Sequence, residues 1–383
     1  MAESSFRPEV RRVLPAVIAM RFAINVAMRM TYTFLPAFGR GAGLSVESMS
    51  TVLSARELTA LTAPLAGKAS DRLGPLTIMS YGGLVAGAGL LIATLGAPGL
   101  IVGMLIFGFG RTAHQVALSS WIGNVVAYER RGRATGLIEL TWGGAALIGL
   151  PMAGLLIDGV AWWAPFGLMG FLALVSALRV LAREPTRARG TNHEARKPHM
   201  TKTAVAALAT NGAMTGAAQF LFLGHGLWLE DTYGLDTAEI GLAIVAVGAV
   251  EVIATLGSSR LTDRLGKRRS MFGGALLMTS ALMVLAAYST PPLWLGLLIL
   301  VTAFLGFEYG IVSALPLISE LDPGARAAMV GRAISISTVI RALVTLLATA
   351  IYVSQGFATL MMVASGIGII AVLLAAFFMV EPA

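Results

Sequence analysis

The sequence predicts an all-α polytopic membrane protein whose twelve transmembrane helices form two parallel-repeat six-helix bundles. Three observations support this class: the composition, the recurrence of long apolar runs, and a loop sequence that occurs twice. Hydrophobic residues make up 56% of the 383 residues and charged residues 13%, whereas a soluble domain carries about 25% charged residues. Apolar runs of roughly 20 residues recur from end to end, and each is long enough to cross a bilayer core. The runs are continuous and do not alternate with polar residues, which argues against an outer-membrane β-barrel.

The apolar runs and the polar segments between them define the predicted spans. We predict twelve, in the order 13–38, 46–66, 76–95, 98–126, 135–157, 161–181, 202–228, 237–257, 271–290, 293–319, 333–353 and 356–380. With a cytoplasmic N-terminus, the basic residues of the loops lie on the inner side, and Arg40 is the exception. The positive-inside rule therefore predicts a multi-pass protein of the cell (inner or plasma) membrane with both termini cytoplasmic. This asymmetry also accounts for most of the net charge of +8 without a nucleic-acid partner.

A polar, basic segment divides the chain almost in half. It runs from Arg183 to Met200, between spans six and seven, and is the longest polar stretch of the chain. We therefore predict an N-terminal bundle at 1–182, a cytoplasmic linker at 183–201 and a C-terminal bundle at 202–383.

The loop sequence that occurs twice supports the same division. Asp71–Gly74 and Asp263–Gly266 both read Asp-Arg-Leu-Gly, at an offset of 192 residues, and each copy follows the second span of its half. Two six-span halves in the same orientation are the parallel-repeat arrangement of one large class of transporters.

The twelve spans, the central linker and the repeated loop resemble the major facilitator superfamily over the whole chain. In that family the loop reads G-x-x-x-D-R-x-G-R-[KR]. The second copy keeps the basic pair as Lys267 and Arg268, whereas Pro75 and Leu76 replace it in the first. The resemblance implies a conformational latch that holds the outward-facing state, and the alternative is a turn with a capping aspartate and a terminal glycine. The latch residues would be Gly67, Asp71, Arg72, Gly74, Asp263, Arg264 and Gly266.

Two further segments resemble signatures of the proton-linked drug and metabolite exporters of this family. Span four contains Phe107–Leu118, which is similar to L-x-x-x-R-x-x-Q-G and has Arg111 in the arginine position. Span five contains Gly143–Leu156, which is similar to G-x-x-x-G-P-x-x-G-G, with Leu150 inserted before Pro151. The resemblance implies export by antiport and a pliable, closely packed fifth span. Ordinary packing of small residues is the alternative for span five.

Charged residues within the spans indicate where function lies, because a charge at the bilayer centre costs about 2.5–3.5 kcal/mol on insertion scales. Span one has polar residues at three- and four-residue spacing, which share one helical face. They are Arg21, Asn25, Arg29 and Tyr32, with Met28 beside them, and we predict that this stripe lines the central cavity and binds the substrate. Three roles remain open for Arg29: binding an anionic group of the substrate, tuning a carboxylate for proton coupling, or pairing with a buried acid.

Proton coupling requires an acid whose pKa changes with its surroundings. The candidates are Glu308 on span ten, with Arg341 on span eleven as its partner, and Glu139 on span five. By resemblance to the exporters Arg111 belongs to the coupling machinery, and we also place it among the substrate-binding residues. His114 lies on the same face and is a further candidate for proton coupling. Trp142 follows Glu139 by three residues and is placed to stack on a flat substrate. An intramembrane salt bridge is the alternative for these acids, and we expect structural ion pairs at Glu57 and Glu251.

The sequence predicts a transporter and no enzyme. Cysteine is absent, no metal-site spacing occurs, and no P-loop for ATP is present. We predict no cofactor other than the proton gradient. The predicted partners are a small-molecule substrate, protons and the lipid bilayer, and we expect a monomer. The alternatives to export are a proton-coupled importer of a nutrient, a lipid or lysolipid translocase, and a sensor built on a transporter scaffold.

Overall fold

The computed structural model describes residues 8–125, 128–183, 199–322 and 325–379. Within these residues the chain is helical and contains no strand. Nine helices in the described part are long and apolar enough to cross a membrane. The prediction of an all-α polytopic membrane protein is confirmed. The predicted linker lies mostly outside the described residues.

Six helical spans precede the linker, and several of them are built from two consecutive helices. Span one is α1 (Pro8–Thr33) with α2 (Leu35–Ala42), span two is α3 (Val46–Leu58) with α4 (Ala63–Leu73), span three is α5 (Pro75–Ile92), span four is α6 (Gly96–Val125), span five is α7 (Tyr128–Gly144) with α8 (Leu150–Gly159), and span six is α9 (Ala164–Leu181).

The remaining helices follow the same plan after the linker. Span seven is α10 (Lys202–Tyr233), span eight is α11 (Thr237–Ala243) with α12 (Val245–Leu265), span nine is α13 (Lys267–Ala287), span ten is α14 (Leu293–Glu320), and spans eleven and twelve are the two parts of α15 (Arg326–Phe377). The division within α15 is Gly356, whose φ of 81° and ψ of −179° are not helical.

Contacts divide the chain into two compact units. The first unit comprises the described residues of Met1–Thr31 and Pro36–His193, and the second comprises those of Tyr32–Leu35 and Glu194–Ala383. The short segment Tyr32–Leu35 at the end of span one is thus counted with the second unit.

Local sequence explains where several helices begin. Ser45 and Thr201 accept hydrogen bonds from backbone amides of the first turns of α3 and α10. Asp236 and Glu239 form a reciprocal capping box at the start of α11. These side chains satisfy amide groups that the first turn of a helix leaves without a partner.

Each unit has a close helix contact between its own third and fourth spans. In the first unit, a Cβ on Gly82 would lie 2.5 Å from the backbone nitrogen of His114. In the second unit, a Cβ on Gly274 would lie 2.5 Å from the backbone of Gly310. Gly82 and Gly274 are again 192 residues apart. Small residues therefore let the backbones approach at equivalent places in both units.

Span five departs from regular α-helix at the segment that resembles the antiporter signature. Residues Ala145–Gly149 form one π-helical turn between α7 and α8. Pro151 lies at the start of α8 and has no amide hydrogen to donate. A Cβ on Gly149 would lie 2.2 Å from a methyl carbon of Val26, so spans one and five are in close contact there.

Candidate functional site

The polar face of span one packs against span five in the first unit. Asn25 donates a hydrogen bond to the hydroxyl of Thr141, with 2.9 Å between the atoms. One turn further, the guanidinium carbon of Arg29 lies 4.7 Å from the centre of the Trp142 ring. A guanidinium nitrogen of Arg29 also lies 3.4 Å from the Trp142 carbonyl oxygen. Arg29 is only 3% exposed, so its charge is held inside the bundle against an aromatic face.

A second charge cluster joins spans one, two and four in the same unit. Arg56 and Glu57 are wholly buried and form an ion pair of 2.9 Å. Arg56 also donates to the Thr31 hydroxyl at 2.6 Å. The Arg111 guanidinium lies 3.5 Å from both carboxylate oxygens of Glu57. One carboxylate is therefore shared between two arginines.

Sequence reasoning did not assign Glu57 to the site with Arg111. It placed Glu57 among structural ion pairs and looked to spans five and ten for acids. Glu57 and Arg111 are 54 residues apart on different helices, and nothing in a single sequence specifies that they face each other. The only signal was that Arg111 occupies the arginine position of the exporter signature, which requires an acidic neighbour inside the membrane.

The other residues predicted on spans one, four and five differ in burial. Arg21 is partly buried and interacts electrostatically with Glu139 and Arg111. Glu139 itself is exposed on α7. His114 is wholly buried at the contact with span three, where a Cβ on Gly82 would meet its backbone. Tyr32 is also buried, at the end of span one.

The second unit contains two buried acids. Glu251 on span eight is wholly buried, and Glu308 on span ten is 6% exposed. Thr255, one turn after Glu251, donates a hydrogen bond to Glu308 with 3.1 Å between the oxygens. Arg341 lies on span eleven and is partly buried. The hydrogen bond from Thr255 to Glu308 thus joins the two helices that carry these acids, which are spans eight and ten.

A buried polar ladder connects spans seven and eleven, and sequence reasoning missed it. Asn211 donates to the Ser337 hydroxyl at 3.0 Å. Two turns later Gln219 donates to the Thr345 hydroxyl at 3.1 Å. The signal was available, because polar residues recur every four positions on span seven at Asn211, Thr215 and Gln219.

The two copies of the repeated loop have the same backbone conformation. Gly74 has φ 95° and ψ 145°, and Gly266 has φ 86° and ψ 148°. Only glycine adopts this region without strain, so the glycine of the repeat is a conformational requirement. Asp71, Arg72 and Arg264 are exposed and Gly67 is half-buried. The side chain of Asp263 lies outside the described residues.

The basic pair found only in the second copy is tied to the ends of other helices. Lys267 forms a salt bridge with Glu320 at the end of α14. Arg268 donates to the carbonyl of Ala376 at 2.6 Å and lies 3.4 Å from that of Ala375. A cation at the last carbonyls of a helix is favoured by the helix dipole. The second loop is thereby joined to α14 and α15.

No group of three or more histidine, aspartate or glutamate side chains suited to a metal ion occurs in the part of the chain that is described. The buried charged groups are Arg29, Arg56 and Glu57 in the first unit, and Glu251 and Glu308 in the second. Such groups bind ions and protons.

Comparison with known proteins shows which family this sequence matches. The family model described as Major Facilitator Superfamily matches residues 17–230 and 208–383. An uncharacterized transporter of this type, YceJ of Bacillus subtilis (strain 168), is 29% identical over 276 residues, which cover 68% of this chain and 69% of that protein.

Two solved structures have the same fold. A D-xylose-proton symporter superposes with a TM-score of 0.79 at 17% identity, over 97% of this chain and 98% of its own. The human organic anion transporter MFSD10 (TETRAN) superposes with a TM-score of 0.70 at 15% identity, over 96% of this chain and 100% of its own. The family model spans nearly the whole chain, and both structures confirm the predicted fold. The chain therefore belongs to the major facilitator superfamily and is a multi-pass membrane protein for secondary transport of a small molecule, not an enzyme.

Proposed function

We propose that the protein is a proton-coupled antiporter of the cell membrane that exports a small organic compound, anionic or amphipathic, by alternating access. It would act as a monomer with both termini in the cytoplasm. The single observation that carries the proposal is the unequal distribution of charge between the two units. At membrane depth, among the described residues, the first unit has four arginines against two glutamates, whereas the second has one arginine against two glutamates.

The excess positive charge of the first unit supports an anionic substrate group. Glu57 neutralises one of the two arginines that it contacts. Arg29 is fixed against the Trp142 ring, so its planar fork is oriented before a ligand arrives. A carboxylate or phosphate suits that fork, and the aromatic face suits the apolar part of an amphipathic compound.

The acids of the second unit support proton binding. Glu308 is buried, and its partner Thr255 is a neutral hydroxyl that hydrogen-bonds either protonation state of a carboxyl group. Burial favours the protonated acid and access to water favours the carboxylate. A conformational cycle that changes the exposure of Glu308 would therefore load and release one proton.

Proton movement in proteoliposomes at equal inner and outer pH tests the proposal. Organic anions, lipophilic cations and lysolipids are added outside one at a time, and a pH-sensitive dye reports the interior. An antiporter exchanges the entering substrate for a leaving proton, so the interior becomes more alkaline. Acidification of the interior by every active compound would instead establish symport.

The matched variants are Glu308→Gln and Glu47→Gln, of which the second alters an exposed acid at the start of span two. We expect Glu308→Gln to abolish proton movement while substrate-for-substrate exchange continues, and Glu47→Gln to leave both intact. Unchanged proton movement in Glu308→Gln would remove Glu308 from the mechanism.

One observation favours a second candidate, proton-coupled import of a nutrient. The solved structure with a TM-score of 0.79 is described as a proton symporter for D-xylose. The direction of the dye signal separates this candidate from antiport. A panel extended to neutral sugars would identify its substrate.

A further inference from the structure

An apolar groove lies between spans eight, nine and ten of the second unit. Its volume is about 690 Å³, within the range of about 300–1,000 Å³ typical of ligand pockets. Its walls include Ile253 and Gly257 on span eight and Leu276 on span nine, and Ile253 is 66% exposed. The floor includes Tyr309, whose hydroxyl already donates to Ser270 at 2.8 Å. The groove therefore offers a ligand a surface that is almost entirely apolar and open at the protein surface.

Two arginines extend the groove-lining faces toward the loop end of the same helices. Arg269 precedes Gly273 by four residues, and Gly273 lines the groove, so the two positions share a face of α13. Arg264 follows Gly257 by seven residues, which is two turns along α12. Both arginines are exposed. An arginine side chain is long enough to cover apolar surface with its stem and keep its charged end in polar surroundings.

The repeat shows that these features are particular to the second unit. At the offset of 192 residues, Gly257 corresponds to Leu65 and Gly273 to Tyr81. Arg264 corresponds to Arg72, but Arg269 corresponds to Thr77. The first unit therefore has large side chains where the second has glycines. A Cβ on either glycine would meet nothing within 4 Å, so the space they leave is open.

We propose that this groove binds an anionic phospholipid, with an acyl chain in the apolar part and the phosphate at Arg264 and Arg269. The occupant must combine a long apolar chain with a negative head, because the open apolar wall leads to an exposed cationic pair. Basic sites between transmembrane helices recognise such head groups. The lipid is a resident ligand of the second unit and not the transported compound, so the site is independent of the substrate proposed above.

Native mass spectrometry and thermal unfolding of the full chain in neutral detergent test the site. The probes are phosphatidylglycerol, phosphatidylcholine of the same acyl chains, and glycerol phosphate without acyl chains. We expect phosphatidylglycerol to remain bound and to raise the unfolding temperature, and the other two probes to do neither. An equal response to phosphatidylcholine would overturn the role of the arginines, and an equal response to glycerol phosphate would overturn the role of the groove.

Two double variants test the head group and the acyl chain separately. Arg264→Gln with Arg269→Thr removes the cationic pair from an exposed surface, and we expect phosphatidylglycerol to bind at least about tenfold more weakly. Gly257→Leu with Gly273→Tyr fills the groove with the side chains of the first unit, and binding should be lost. Arg72→Gln is the matched control and should bind as the native chain does. Native-like binding in both double variants would overturn the proposal.

Discussion

The carboxylate of Glu57 is shared between the buried guanidinium group of Arg56 and the partly buried one of Arg111, so its loss removes the acidic group from this cluster. Glu57→Gln would leave Arg56, which is wholly buried, and Arg111 to face a neutral amide. Removing one partner of a buried ion pair costs about 3–5 kcal/mol. We expect the unfolding temperature of the purified protein to fall by several degrees.

The matched control for that variant is Glu47→Gln, which removes the same charge from an exposed position. Unfolding followed by tryptophan fluorescence in detergent measures both. If Glu57→Gln unfolded at the temperature of the native chain, the cluster would not be a structural element of the first unit.

Arg29 has both a positive charge and a defined orientation, and the two can be separated by substitution. Arg29→Lys keeps the charge but loses the planar fork, so we expect substrate affinity to fall about tenfold. Arg29→Ala removes both and should abolish measurable binding. Equilibrium binding of the compound identified in the proteoliposome assay measures the effect, with Arg179→Gln at an exposed helix end as control. Equal affinity in Arg29→Ala and the native chain would exclude recognition of an anionic group by this residue.

The sequence could predict which residues of span one share a face, because that depends on helical periodicity alone. Asn25 and Arg29 do both contact span five. It could not predict that Arg29 lies against Trp142 or that Glu57 faces Arg111. Those pairs depend on the rotation of each helix about its axis, which is set by close packing at positions such as Gly149 and Val26.

At the scale of elements, the contact between spans one and five is set by a glycine. A Cβ on Gly149 would lie 2.2 Å from one methyl carbon of Val26 and 3.1 Å from the other. Gly149→Ala should therefore push span five away from span one and weaken both stability and substrate binding, because Arg29 and Trp142 lie on these two spans. Adding Val26→Ala makes room for the new methyl group and should restore much of the loss.

Gly144→Ala provides the control on the same span, since its Cβ would meet only one atom, at 3.9 Å. Unfolding temperatures of the single and double variants form a double-mutant cycle. Additive losses from Gly149→Ala and Val26→Ala would contradict a direct contact.

The spans themselves were largely predictable from the sequence, because length and apolar character determine which segments cross a bilayer. Their irregularities were not. Span two contains a 3-10 turn at Thr59–Thr62, and span five contains a π turn at Ala145–Gly149. Span two also continues to Leu73, beyond the predicted end at residue 66. The added part of the helix carries Lys68, Asp71 and Arg72, and hydropathy cannot locate the end of a polar helix.

At the scale of the whole molecule, the repeat makes the two units alike in backbone and different in side chains. The loop glycines Gly74 and Gly266 have nearly the same φ and ψ. Yet the basic pair that joins the second loop to Glu320 and to the end of α15 is replaced by Pro75 and Leu76 in the first. The same backbone therefore serves a loop that is anchored within its own unit and a loop that lacks that anchor.

This difference predicts distinct effects for variants of the two loops. Arg268→Gln removes hydrogen bonds to the last carbonyls of α15, so it should lower the unfolding temperature of the protein. Asp71→Asn alters an exposed side chain in the loop without the basic pair, so it should change stability little. If the first loop is the latch that the family resemblance implies, Asp71→Asn should nevertheless shift the balance between inward- and outward-facing states.

Pulsed electron–electron double resonance, which measures distances between spin labels on the two units, reports that balance. A latch of ordinary strength contributes at least about 1 kcal/mol, so we expect the ratio of the two populations to change about fivefold or more in Asp71→Asn. Glu47→Gln, which removes an exposed acid at the opposite end of span two, should leave the distribution as it is in the native chain. An unchanged distribution in Asp71→Asn would favour a simpler role for the aspartate, in which it caps a turn whose geometry is already determined by Gly74.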